Sequence, residues 1–151
     1  QLWLVVGTFA MLGIALGLVS YAATDWARVQ FVTAASGASP AGFGPVFVSL
    51  SAFQTTVTLF FAGPVVGTVV GTLVGSRFLD VRLAGGVAGG GSLVGFFVMA
   101  GIGLLGLSLV GGPGTEQVYA VGQAVGPLLV AGVATGVVGT VSGVLGSAFV
   151  R

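Results

Sequence analysis

Cysteine, histidine, lysine and asparagine are all missing from this 151-residue chain, and charge of either sign is scarce. Without cysteine there is neither a disulfide nor a thiol nucleophile. Without histidine the commonest general base and metal ligand is lost. Three carboxylates remain, Asp25, Asp80 and Glu116, and each falls in a connection between apolar runs. They assemble neither a nucleophile–base pair nor a metal site. The expectation is therefore a non-enzyme with no catalytic residue, no metal and no cofactor. Charged residues are 5% of the chain, against about a quarter in a soluble domain. So few charges cannot solvate the surface that a small domain must leave in water. A net charge of +1 offers nothing to nucleic acid. Isoleucine occurs only at Ile14 and Ile102. Valine, glycine, alanine and arginine stand in for the missing types, a bias that points to a GC-rich source genome.

What is present is apolar: 56% of the residues are hydrophobic and 29 are glycine. The first apolar run, Leu2–Ala23, is long enough to cross a hydrocarbon core of about 30 Å as a helix. Trp3 and Tyr21 lie near its ends, where amphipathic rings favour the membrane interface. It has no basic residues before it and exceeds a signal-peptide core, so it reads as a span. Thr24–Pro45 is the only extended polar segment, and its Gly, Ser and Pro content predicts a loop. Asp25 and Arg28 fit a solvated helix end, spaced to pair on one turn. Val46–Ser76 is too long for one perpendicular span at 1.5 Å per residue. The expected crossing is Thr55–Ser76, with Val46–Phe53 a shallow or re-entrant entry and a kink at Pro64. Arg77–Arg82 is a charged turn. Leu83–Val110 is the third run, with Gly111–Glu116 the turn after it. Gln117–Val150 is the fourth, starting near Pro127 after a lead-in at Val118–Val125.

Four spans follow, in an all-α integral membrane bundle whose direct surroundings are the lipid bilayer. Arg77, Arg82 and Arg151 fall on one side and Arg28 on the other. The excess of arginine predicts that the first side, with both termini, is cytoplasmic.

The chain also resembles itself. Val6–Leu16 laid over Val94–Leu104 agrees at seven of eleven positions, with both methionines and both isoleucines in register. Val65–Gly71 laid over Val137–Gly143 agrees at six of seven. Residues 1–80 and 81–151 therefore read as two copies of a two-helix membrane hairpin, the connection being shorter in the second. Each copy crosses twice, so the two share an orientation and are expected to be related by an axis along the membrane normal.

The strongest local pattern is a ladder of small residues. Gly63, Gly67, Gly71 and Gly75 recur every fourth position, which keeps them on one helical face along about 18 Å. In span four the ladder continues as Ala131, Thr135, Gly139, Gly143 and Ser147. Such faces let backbones touch, either inside the bundle or at a homo-oligomer seam or pore lining. The two ladders are expected to occupy equivalent places about the pseudo-twofold axis. Thr68, Thr72 and Thr140 can return their hydroxyls to the carbonyl four residues back. Gly85–Gly95 lacks the Gly-Lys-Ser/Thr ending of a phosphate loop and any strand before it. Gln54, Thr56 and Thr58, with Gln123 and Gln117, collect at the outer side. They form either a polar vestibule or a plain water-facing rim.

In outline, a duplicated glycine-rich four-helix chain is similar to the doubled proteolipid subunits of rotary proton pumps. That resemblance implies an ion-binding carboxylate midway along an outer helix, and spans two and four contain no Asp or Glu. Two functions remain. One is a structural or accessory subunit of a larger membrane or envelope assembly, partnered by other membrane subunits or by its own copies. The other is a small channel or transporter, homo-oligomeric or pseudo-twofold, for an ion or small solute.

Overall fold

The computed structural model describes residues 1–30, 44–108 and 121–149. They form four helices: α1 (Leu2–Arg28), α2 (Gly44–Gly75), α3 (Val81–Ser108) and α4 (Val121–Ala148). Each holds a stretch long and apolar enough to cross a bilayer: Leu2–Ala27, Phe53–Gly75, Val81–Gly106 and Val125–Ala148. The fold class is all-helical, with four candidate spans. Long helices are what such sequences must form in hydrocarbon, because a backbone with no water to bond must bond itself. The glycines of α3, poor helix formers in water, accordingly sit in an uninterrupted helix.

The helix ends differ from expectation. α1 continues past Ala23 to Arg28 and takes in Asp25, because a charged side chain at a helix end reaches water without breaking the helix. α2 is one continuous helix from Gly44. Val46–Phe53 is thus a helical extension and not a re-entrant entry. Pro64 and Pro127 both lie inside helices. Pro127 falls one turn and a half into α4 and does not start it. The turn Gly111–Glu116, Gln117 and Arg151 lie outside the described residues, as do the side chains of Arg28 and Gln123 and most of the Thr24–Pro45 loop.

The bundle runs up, down, up, down. α1 lies against α3 and α2, α4 lies against α3 and α2, and α2 touches α3. Among the described residues α1 and α4 do not meet. In section the helices make a rhombus with α2 and α3 at its near corners. α1 and α3 run parallel: Gly91 faces Val5, Gly95 faces Phe9 and Gly13 faces Met99. α2 and α4 also run parallel: Gly67 faces Thr135, Gly71 faces Gly139 and Gly75 faces Gly143.

The core is small. Val5, Phe9, Leu59, Val70, Val74, Phe96, Met99 and Ala100 form it. Phe96 is fully buried between α2 and α4. It fits because Gly63 and Gly132 have no side chains; a Cβ on Gly63 would lie 2.5 Å from its ring. Bulky residues mostly point outward, among them Met11, Leu18, Phe61, Leu73, Val137 and Leu145. A soluble bundle sorts its residues the other way.

Candidate functional site

All four ladder glycines of α2 are buried, and each faces a neighbouring backbone or a buried side chain. A Cβ added at Gly71 would stand 2.8 Å from the carbonyl oxygen of Gly139 and 3.1 Å from the Cβ of Ser142. One added at Gly75 would collide with the carbonyl of Gly143. The helices therefore meet backbone to backbone, within reach of weak Cα–H···O contacts.

The α4 ladder faces elsewhere. A Cβ at Gly139 would lie 2.5 Å from Ser92 Oγ and 3.0 Å from the Ala88 carbonyl oxygen. One at Gly143 would lie 2.6 Å from the Ala88 Cβ and 2.8 Å from the Ala84 carbonyl oxygen. Ser147 is buried too, its hydroxyl donating to the Val144 carbonyl at 2.7 Å. Thus α2 offers its glycines to α4, whereas α4 offers its own to α3.

The expected equivalence of the two ladders does not hold. Gly67 and Gly71 each meet the α4 residue four positions before their aligned counterpart. The methionines diverge as well: Met99 is fully buried and Met11 is 69% exposed. A Cβ added at Gly13 would lie 2.8 Å from the Met99 carbonyl oxygen, while one added at its counterpart Gly101 would meet nothing within 4 Å. Similar segments of α1 and α3 thus occupy dissimilar surroundings.

Threonine hydroxyls return to their own helices. Thr68 donates to the Pro64 carbonyl at 2.8 Å, Thr72 to Thr68 at 2.8 Å and Thr140 to Gly136 at 2.9 Å. Thr135, which is fully buried, donates to Ala131 at 2.7 Å. Each bond satisfies a hydroxyl that hydrocarbon would otherwise leave unpaired.

The outer polar group is spread over two faces. Gln54 and Thr58 lie one turn apart on the exposed face of α2, and Thr58 donates to the Gln54 carbonyl at 2.9 Å. Thr56 is half-buried. At this end the buried Ser20 donates from Oγ to Thr55 Oγ1 at 3.0 Å, which ties α1 to α2. Thr24, one turn beyond Ser20, is also buried. Sequence reasoning passed over both, although their four-residue spacing put them on one face.

Two more buried hydroxyls went unremarked, Ser92 and Ser142. Ser142 is the one mismatch in the Val65–Gly71 repeat, and the structure sets it against Gly71. Ser92 Oγ is fully enclosed where α2, α3 and α4 meet and has no hydrogen-bond partner among the described residues. An unpaired buried hydroxyl costs about 1–3 kcal/mol. Among the described residues no three Asp, Glu, His or Cys gather as a metal site.

The chain matches no family model, no curated protein and no solved structure.

Proposed function

We propose that the chain is a non-catalytic structural or accessory subunit of a larger membrane or envelope assembly. The observation that carries this reading is how the bundle sorts its residues. Glycine, alanine, serine and threonine fill the α2–α3–α4 seams at backbone contact, and bulky apolar side chains clothe the outside of every helix. Helices in lipid associate through close packing and not through hydrophobic burial, so small residues within make a rigid unit. Large residues without then suit neighbouring helices as well as lipid. The ladders are read accordingly as packing seams, and the chain as a duplicated hairpin, residues 1–80 and 81–151. The parallel pairing of α1 with α3 and of α2 with α4 supports that duplication.

A second reading, a small channel or transporter, gains one specific observation. Gln54 and Thr58 face outward on α2, so a polar path past them would run between copies of the chain.

The mass of the detergent-extracted complex decides between these readings. The subunit reading expects other membrane chains, or a lattice of copies, to travel with it. A lone monomer in mild detergent would overturn it, and a closed homo-oligomer with solute flux in liposomes would favour the channel. Substitutions that probe assembly belong at Gly86 and Gly90, where an added Cβ would meet nothing within 4 Å. Changes at Gly67 or Gly139 disturb the fold itself.

The reading also places the Arg77–Arg82 turn, with both termini, on the cytoplasmic side. Leu79→Cys, at an exposed site in a chain without thiols, should react with a membrane-impermeant maleimide in inverted vesicles and not in intact cells. Labelling in intact cells would reverse the orientation.

A further inference from the structure

We propose that the turn between α2 and α3 is a headgroup site for an anionic phospholipid, with Arg77 and Arg82 binding its phosphate. The proposal goes beyond the subunit reading and stands without it; it needs only the four membrane spans.

Arg77 follows the last turn of α2, Arg82 lies in the first turn of α3, and both are exposed. Among the described residues neither guanidinium is engaged in a hydrogen bond or ion pair. Among the described residues of this turn the one carboxylate, Asp80, caps a helix. Asp80 Oδ1 accepts the Arg82 backbone N–H at 2.8 Å, and the Asp80 carbonyl accepts the Ala84 N–H at 2.9 Å. Asp80 is thus the N-cap of α3. Ser76 is committed too, its hydroxyl donating to the Leu73 carbonyl at 2.9 Å.

The positive charge at this point is unusual in its placement. A helix start carries about half a positive elementary charge and favours acidic side chains. Here the first turn of α3 has no acidic residue and carries Arg82 instead. Two exposed arginines and a helix N-terminus share this turn with one capping carboxylate, and an external anion completes the balance. Guanidinium groups suit phosphate because they donate paired, parallel hydrogen bonds.

The surroundings select a lipid over a soluble anion. Leu79, between the two arginines, is 75% exposed, and Leu83 is exposed just beyond them. Phe149 is 85% exposed and lies at the same end, since Gly75 meets Gly143 and Gly146 meets Thr72. Exposed apolar residues at the same end of the bundle as the arginines match a molecule with phosphate above and acyl carbons below. Basic residues at the membrane surface attract anionic lipids at about 1 kcal/mol each, a factor of about five.

The test uses the full chain in detergent, exposed to equal amounts of phosphatidylglycerol and phosphatidylcholine, with retained lipid counted by native mass spectrometry. Wild-type protein should favour phosphatidylglycerol by about fivefold or more, and the Arg77→Gln/Arg82→Gln pair should bring the ratio to near one. Arg77→Lys/Arg82→Lys should retain part of the preference through charge alone. Should the glutamine pair fail to fold, wild-type protein in 0.5 M salt supplies the same contrast, because screening weakens surface charge interactions. Equal retention of the two lipids by wild-type protein would overturn the proposal. So would a preference that survives both the glutamine pair and salt, or displacement of the lipid by an equal concentration of inorganic phosphate.

Discussion

Gly143→Val is expected to cost the bundle about 3 kcal/mol, the upper part of the usual range for overpacking a filled interior. At Gly143 three helices meet closely. Its carbonyl and Cα lie against Gly75 of α2, and the space its side chain would need is occupied by α3. A Cβ there would stand 2.6 Å from the Ala88 Cβ and 2.8 Å from the Ala84 carbonyl oxygen. Neither obstacle is the end of a flexible side chain, so neither can swing away. α4 must leave α3 to make room, and it cannot move the other way because α2 blocks it. Thermal unfolding of purified protein in mild detergent, followed by circular dichroism, measures the loss. Gly143→Ala already introduces the colliding atom and should show most of the effect.

The matching control is Gly90→Ala. Gly90 is exposed, with nothing within 4 Å of an added Cβ. In a helix interior alanine is favoured over glycine by about 0.8–1 kcal/mol, so this variant should hold or raise the melting temperature. Equal damage from the two alanines would mean that glycine acts through backbone flexibility, and the close contact at Gly143 would lose its significance. Harm at Gly90 alone would place the critical surface outside the bundle, where another chain binds.

How far such contacts could be foreseen depends on what each residue pattern encodes. Apolar runs encode helices in lipid without ambiguity, so all four were legible from composition and length. Their ends were not. Asp25 and Arg28 fit a helix end but sit in a segment that otherwise reads as loop, and the prolines, breakers by the rules of soluble proteins, lie inside α2 and α4. The returning hydroxyls of Thr68, Thr72 and Thr140 were legible because that bond is set by spacing within one helix. The partners of the glycines were not. A four-residue ladder identifies a face and says nothing of which helix meets it. Hence Gly71 and Gly143, aligned in sequence, turn to α4 and α3 respectively. Met11 and Met99 make the point again, since identical residues in aligned segments end on opposite sides of the packing. Ser92 was hidden for another reason: a lone serine in a glycine-rich run has no periodic signature.

The helix arrangement itself yields the second large effect. Because the chain has no cysteine, engineered pairs report on distance without background. Val5→Cys with Gly91→Cys should form a disulfide between α1 and α3, and Gly71→Cys with Ser142→Cys one between α2 and α4. The Cβ positions are 3.0 and 3.1 Å apart respectively, and disulfides join Cβ atoms at about 3.5–4.5 Å. A shift of a few tenths of an ångström suffices for each. Mild oxidation in membranes should convert most of each double mutant to an internally linked form of higher gel mobility, reversed by reductant. Gly7→Cys with Gly91→Cys should stay unlinked, as a Cβ at Gly7 would meet nothing within 4 Å. The pairs test topology sharply because they join helices that are not consecutive and run parallel. Were α1 and α3 antiparallel, Val5 would lie near Gly106, about 20 Å along α3 from Gly91 at 1.5 Å per residue. A bond in the second pair without the first would detach α1 from its place beside α3. Links between chains in place of internal ones would move the parallel contacts from within one bundle to the boundary between two copies, with the same residues as their seam.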